Sequence, residues 1–267
     1  MKKGWKALVA VLIVAVPGLA GGTARADGTL DAIKARHKLI AGVKYDTPPF
    51  GFVDDKNQLV GFDVDLVREI AKALGVEVEF VKVTSPTRIP LLVSGNVDLS
   101  AASMTHTRER EGAIDFSITY YTGAQALLVA ENSPIKALGD LAGKTVAVQQ
   151  GTTLEKNLAK LAPNATVQPF RDYTSAWLAL RQGRADALTG SYDILRGFIR
   201  ETPGFHVVGD KFSLEPFGIG FRHGDWQLRD FVNGVLQDLW ASGRYRELYR
   251  TWFQVDPDVP IEMWPKG

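Results

Sequence analysis

From Leu39 onward, short apolar or alternating runs take turns with helical patterns, the order that βαβ units and a largely parallel sheet require. Leu39 to Val43 predicts the first strand. Behind Gly61-Phe62-Asp63, residues Leu66, Val67, Ile70, Ala71 and Leu74 recur at helical spacing, which predicts a helix with Asp63 as N-cap and Gly75 as its stop. Val76 to Val83 predicts a second strand, Ile89 to Ser94 a short helix ended by Gly95, and Val97 to Ala102 a buried strand, apolar except for Asp98 and Ser100. Polar residues follow from Ser103 to Arg110, and in an open α/β sheet the C-terminal strand ends face the ligand crevice.

The second half repeats the plan. Thr145 to Gln149 predicts a strand, Gly151-Thr152-Thr153 leads into a helix carrying Leu154, Leu158 and Leu161, and Val167 to Phe170 predicts another strand. Leu91 to Gly95 followed by Val97-Asp98-Leu99 is echoed by Leu178 to Gly183 followed by Ala185-Asp186-Ala187. Ser103 and Ser191 each lie 8 residues after the glycine stop, at matching strand exits, and are expected to face each other across a cleft. Gly, then Asp, then an apolar strand is also a common βα pattern, so the echo alone is weak support.

Ahead of this pattern, Lys2, Lys3 and Lys6 precede an apolar run from Ala7 to Val16, and Ala24-Arg25-Ala26 closes the segment. This predicts a secretory signal peptide over 1–26 cleaved after Ala26, the run being shorter than the ~20 residues of a spanning helix. Removing Lys2, Lys3, Lys6 and Arg25 turns a net charge of +1 into −3, and no basic stripe with interleaved aromatics speaks for nucleic acid. With no cysteine there is neither a lipid-attachment site nor a disulfide, and stability must come from ordinary cores. A mature chain of ~240 residues suffices for one large domain or two modest ones.

Several stretches together resemble the periplasmic polar amino-acid binding proteins of ABC importers. They are Gly42-Val43-Lys44-Tyr45-Asp46-Thr47-Pro48-Pro49-Phe50, Gly61 to Leu66, Ser103-Met104-Thr105-His106-Thr107-Arg108-Glu109-Arg110, Ile114-Asp115-Phe116-Ser117, Tyr120-Tyr121 and Gln150-Gly151-Thr152-Thr153. The resemblance covers nearly all of the mature chain in the family's order. It implies the α/β, two-lobed periplasmic-binding-protein fold of type II, each lobe a mixed, mostly parallel sheet flanked by helices. Lobe 1 is expected to span 27–124 plus 221–267 and lobe 2 125–220, with the chain crossing near Gly123 to Leu127 and returning near Gly218 to Phe221. Two hinge strands then let the lobes close on a solute, whose contacts with both lobes hold them shut.

By the same resemblance Arg110 clamps a ligand α-carboxylate, a task that suits its planar fork, with hydroxyl bonds from Ser103 and Thr105. Arg88, in Ser85-Pro86-Thr87-Arg88-Ile89-Pro90, is similar to the extra arginine of glutamate and aspartate binders; Ser85 matches a contact position, and Lys44 lies where such binders place a cation. Three cations in one cleft call for an anionic guest. Ordinary alternatives stand beside these readings: Arg110 salt-bridged to Glu109 or Glu111, Lys44 solvated, Arg88 paired locally. Thr152 or Thr153 begins a helix whose free N–H groups attract carboxylates, Tyr173 matches a second-lobe contact, and Tyr45 and Phe50 form an apolar wall or serve as core aromatics.

One departure stands out. Where the family places an aspartate against the ligand's ammonium, this chain has Ser191, with Asp193 two residues on as a substitute. Ser191 accepts one hydrogen bond and supplies no charge, and a buried ammonium without a counter-ion costs several kcal/mol. Two ligand classes follow: an acidic amino acid of the glutamate or aspartate kind, or an organic acid or amine-modified amino acid with no free ammonium. A dehydratase-type enzyme on this scaffold is the rival function, but His37, His106, His206 and His223 lack metal-ligand spacing, and Gly190-Ser191-Tyr192-Asp193 lacks the second glycine of a nucleophile elbow. The expectation is a periplasmic, monomeric, non-enzymatic binding protein with no cofactor or metal, its partners a small carboxylate and a membrane permease. A sensory role is the third reading.

Overall fold

The computed structural model describes residues 28–200 and 202–257, so the expected leader and its cleavage site lie outside the described residues. Helix α1 (Thr29–Ala35) leads to strand β1 (Lys38–Val43), and β2 (Asp46–Thr47), β3 (Gly51–Val53) and β4 (Leu59–Val60) form a small antiparallel sheet. Then follow α2 (Phe62–Leu74), β5 (Glu77–Lys82), α3 (Arg88–Val93), β6 (Leu99–Ser100), α4 (Arg108–Glu111) and β7 (Ile114–Phe116). Strand β8 (Tyr121–Gly123) leads into β9 (Gln125–Ala130), a 3-10 turn (Leu138–Leu141), β10 (Thr145–Gln149), α5 (Thr153–Leu161), β11 (Thr166–Phe170), α6 (Tyr173–Arg181), β12 (Ala187–Ser191), α7 (Tyr192–Ile199) and β13 (Phe205–Val208). Strand β14 (Glu215–Phe217) returns beside β8, and β15 (Gly220–Arg222), α8 (Trp226–Ala241) and α9 (Arg244–Phe253) complete the described chain.

The two main sheets are built to one plan. Their strand orders are β5-β1-β6-β15-β7 and β11-β10-β12-β9-β13. In each, the second strand (β1 or β10) has parallel neighbours on both sides, and the fourth (β15 or β9) runs antiparallel between the third and the fifth. The repeated Gly-Asp signal has a structural cause. Asp98 accepts from the Ile40 backbone N–H at 2.7 Å, and Asp186 accepts from that of Thr145 at 2.8 Å. Each aspartate thus fastens the loop after a helix to the strand with two parallel neighbours, in the first half of β1 and at the first residue of β10.

Amphipathicity places the helices. Phe62, Leu66, Val67, Ile70 and Ala71 of α2 are buried, and Gly75 ends the helix at φ 69°, a left-handed geometry in which glycine meets no Cβ clash. The expected N-cap is corrected: Gly61 caps α2 at φ 133°, where a Cβ would fall 2.1 Å from the Phe50 carbonyl oxygen. Asp63, the second residue of the helix, is fully buried and accepts from Ser103 N–H at 2.8 Å and Tyr120 Oη at 2.7 Å. The strand expected over 97–102 shortens to two residues, because Asp98 turns to its clamp, which Arg36 joins, and Ser103 takes φ 44°.

Candidate functional site

The strand ends of both sheets meet at one narrow cavity. Ser85, Arg88, Ser103 and Thr105 line it from the first sheet's side; Gln149, Thr152, Thr153, Tyr173 and Ser191 line it from the second; Glu215 and Phe217 come from β14. Ser103 and Ser191, paired by the sequence echo, therefore share a wall. Eight of the sequence-derived candidates are present here, and five are not: Lys44, Arg110, Tyr45, Phe50 and Asp193.

Lys44 lies behind the wall. It is 1 % exposed and donates to Ser85 Oγ at 3.0 Å and to Gln149 Oε1 at 3.2 Å, joining the two halves. Burial, then the nearby Arg88 charge, pushes its pKa down to about 7. Arg88 is also buried, and Nη1 donates to the carbonyls of Ala102 at 2.7 Å and Ser103 at 3.2 Å. Burial and then the charge of Arg110 hold its pKa well below the usual guanidinium value. Desolvation lifts the Asp63 carboxyl to about 6. The left-handed Ser103 is thus fixed from two directions, its N–H by Asp63 and its carbonyl by Arg88, and such backbone strain persists only where surrounding groups over-determine it.

Arg110 forms an adjoining wall. Thr107 caps the short helix α4, and Arg110 donates from Nη1 to the Thr105 carbonyl at 2.6 Å and from Nη2 to the Gly151 carbonyl at 3.2 Å. Its neighbours are engaged elsewhere: Glu109 pairs with Lys156 at 2.5 Å and Glu111 with His106 at 2.7 Å. Arg110, Thr152, Thr153 and Ser85 line a second cleft that abuts the cavity. Thr152 is the N-cap of α5, accepting from Glu155 N–H at 3.3 Å while its hydroxyl donates to the Gln149 carbonyl at 2.7 Å.

The remaining candidates go to the framework. Phe50 is wholly buried in an aromatic cluster, edge-on to Tyr121 at 4.8 Å between ring centroids, and Tyr45 donates to the Phe80 carbonyl at 3.3 Å. Asp193 accepts the Tyr121 hydroxyl and borders a different cleft, with Arg196 and Trp252. Phe217, with Tyr173, supplies the cavity's aromatic surface.

Two polar lining residues escape the sequence reading. Gln149, the last residue of β10, is 1 % exposed with Nε2 unpartnered. Glu215 is 2 % exposed and accepts from Thr105 Oγ1 at 2.7 Å, Thr153 Oγ1 at 2.6 Å, Ser213 Oγ at 2.7 Å and Asn157 Nδ2 at 3.0 Å. Its signal was a lone charge inside Leu214-Glu215-Pro216-Phe217, at the return crossing. Arg88 Nε and Ser191 Oγ are likewise buried without a partner. Buried polar groups are nearly always satisfied, so three orphans around one cavity call for a polar guest. Among the described residues no group of three His, Cys, Asp or Glu is placed to hold a metal, and no helix is long and apolar enough to cross a membrane.

Comparison with known proteins agrees with this geometry. The family model for bacterial extracellular solute-binding proteins, family 3, matches residues 39–255. The glutamine-binding protein GlnH of a Bacillus subtilis ABC transporter is 38 % identical over 94 % of this chain and 95 % of its own. The glutamate-binding protein GluB of Corynebacterium glutamicum is 30 % identical over 92 % of this chain and 86 % of its own. A solved ancestral arginine-binding protein bound to glutamine superposes with a TM-score of 0.79 at 39 % identity, covering 82 % of this chain and 99 % of that one. The structural neighbours are type II periplasmic amino-acid-binding proteins, and the curated relatives are transport-binding proteins, not enzymes. The chain belongs to family 3 of the bacterial extracellular solute-binding proteins and is a solute-binding protein of an amino-acid ABC transporter.

Proposed function

We propose that this protein captures one acidic amino acid, of the glutamate or aspartate kind, between a lobe of residues 27–124 plus 221–267 and a lobe of residues 125–220, and delivers it to a membrane permease. The observation that carries the reading is the cavity at the facing strand ends, with Arg88 Nε, Gln149 Nε2 and Ser191 Oγ buried and unpartnered around it. Lys44, Arg88 and Arg110 make its surroundings basic, each influencing the next in line. The cavity is narrow and walled by the strand ends of both sheets, so a solute is admitted when the lobes part. The β8–β14 pair is the natural pivot, and the solute is retained by contacts that exist only with both lobes in place.

A neutral amide such as glutamine is the second reading, because Lys44 already serves Ser85 and Gln149 and has its charge weakened by burial. Isothermal titration calorimetry with L-glutamate, L-aspartate, L-glutamine, L-arginine and glutarate decides. Acidic binding predicts Kd of about 1 μM or below for L-glutamate, roughly −8 kcal/mol, and weaker binding of glutamine. Preference for glutamine replaces the first reading with the second, and binding of glutarate alone removes both. Residues 1–26 act as a leader that places the mature protein, a monomer, in the periplasm, which N-terminal sequencing of exported protein tests by a start at Asp27.

A further inference from the structure

Glu215 has no role in the fold's repeated plan and none in carboxylate capture, yet it is a buried carboxylate on the cavity wall. Its four contacts come from three hydroxyls and an amide, and among the described residues no lysine, arginine or histidine pairs with it within 4.0 Å. Neutral donors orient a buried anion without cancelling its charge, and Arg110, which that charge favours, stands beyond ion-pair distance. The opposite is true of Ser191, which sits at the cavity with a free hydroxyl and no charge. The two positions are linked through Gly123: it is Glu215's partner across β8 and β14, and a Cβ on it would come within 2.9 Å of Ser191 Oγ.

We infer that Glu215, reaching in from the returning hinge strand, supplies the counter-charge for the solute's ammonium group that Ser191 does not. This deepens the proposed function and rests on its amino-acid ligand. Thr105 and Thr153, one from each side of the cavity, hold the Glu215 Oε2 atom between them. The ammonium is therefore read from the pivot, at a point fixed by both lobes, while the basic groups Arg88 and Arg110 remain for carboxylates. Such a polarised cavity selects zwitterions over simple dianions.

Glu215→Gln is the informative variant, since a glutamine can keep all four contacts, its carbonyl accepting from Ser213 and Asn157 and its amide donating to the two threonine hydroxyls, while the charge is lost. Calorimetry compares L-glutamate with glutarate, and L-glutamine with its desamino analogue 4-carbamoylbutanoate, on the wild type, Glu215→Gln and the double variant Glu215→Gln/Ser191→Asp. We expect Glu215→Gln to weaken the wild type's preferred amino acid by roughly 30-fold to 1000-fold, to leave the matched desamino compound within about threefold or tighter, and Ser191→Asp to restore at least about tenfold of the loss. Equal losses for both members of a pair, an unchanged amino-acid affinity, or no recovery in the double variant overturns the assignment. A wild type that binds no amino acid defeats the proposed function itself, whereas amino-acid binding that is indifferent to Glu215→Gln defeats only the role of Glu215.

Discussion

Lys44 Nζ lies 3.2 Å from Gln149 Oε1; Lys44 directly follows β1, and Gln149 is the last residue of β10 in the other sheet. This contact makes one side chain a member of both halves, and its charge is sensitive to pH. Burial lowers the Lys44 pKa from 10.5 to about 7, so between those values the unfolded chain holds a proton that the folded chain has released. Stability therefore rises with pH across that window, by up to ~1.4 kcal/mol per pH unit, and the benefit is lost as pH falls through 7. Chemical denaturation at pH 7 and pH 9 checks it: Lys44→Met is expected to flatten the increase, and a parallel rise in that variant refutes the assignment.

Asp63 works in the opposite sense at lower pH. Its carboxyl is raised from 3.8 to about 6 by burial, so the folded chain holds the extra proton, and stability declines as pH climbs from about 4 to 6. Because Asp63 fixes Ser103, NMR titration of the Ser103 amide is expected to report a midpoint near 6, and a midpoint in the ordinary carboxylate range contradicts the burial argument.

Arg110 joins the Thr105 and Gly151 carbonyls, which lie on opposite sides of the cavity. Arg110→Ala is expected to weaken solute binding by about 2–5 kcal/mol, since a buried carboxylate and two carbonyls lose their donor. Arg110→Lys recovers only part, as an ammonium lacks the fork that serves two acceptors at fixed separation. Calorimetry measures both, and wild-type affinity in Arg110→Ala removes the residue from the binding machinery.

Gly123 is a tight point of the first crossing. An added Cβ meets Ser191 Oγ at 2.9 Å and the Tyr121 ring at 3.0 Å. Gly123→Ala is expected to cost about 1–3 kcal/mol of stability through overpacking. Urea denaturation reads the loss, and a midpoint equal to that of wild type shows that the hinge pair yields freely.

The two aspartate clamps are expected to differ in strength. Asp98 is 3 % exposed and also pairs with Arg36, whereas Asp186 is exposed. Asp98→Ala leaves the part-buried Ile40 N–H without its acceptor and takes the carboxylate from Arg36, and should cost about 1–3 kcal/mol; Asp186→Ala leaves its N–H open to water and should cost about 1 kcal/mol or less. Thermal melts of the two variants rank them, and the reverse order refutes the burial argument.

Much of the framework is legible in the chain because the signals are local. Strand β10 and helix α5 lie where apolar spacing and the Gly151-Thr152-Thr153 start place them, and Gly75, Gly95 and Gly183 take left-handed geometry at the ends of their helices. The cavity is only partly legible, since its composition depends on contacts between residues far apart. Asp63 looks like a cap until Gly61 takes that place and turns the carboxylate toward Ser103, 40 residues away. Phe50 and Tyr45 have the composition of a ligand wall but pack into the framework, and Phe217 and Tyr173 are the aromatic residues that line the cavity. Glu215 has nothing local to distinguish it; its importance comes from Thr105 and Thr153, 110 and 62 positions earlier.

The matched attachments of Asp98 and Asp186 have a mechanical consequence. Each sheet's leading strand is tied to its own interior by a bond that no partner sheet supplies, so either block can translate or rotate without unravelling. In the proposed lobe closure, compliance is then left to the few residues of β8 and β14, two stiff plates working on a short flexure.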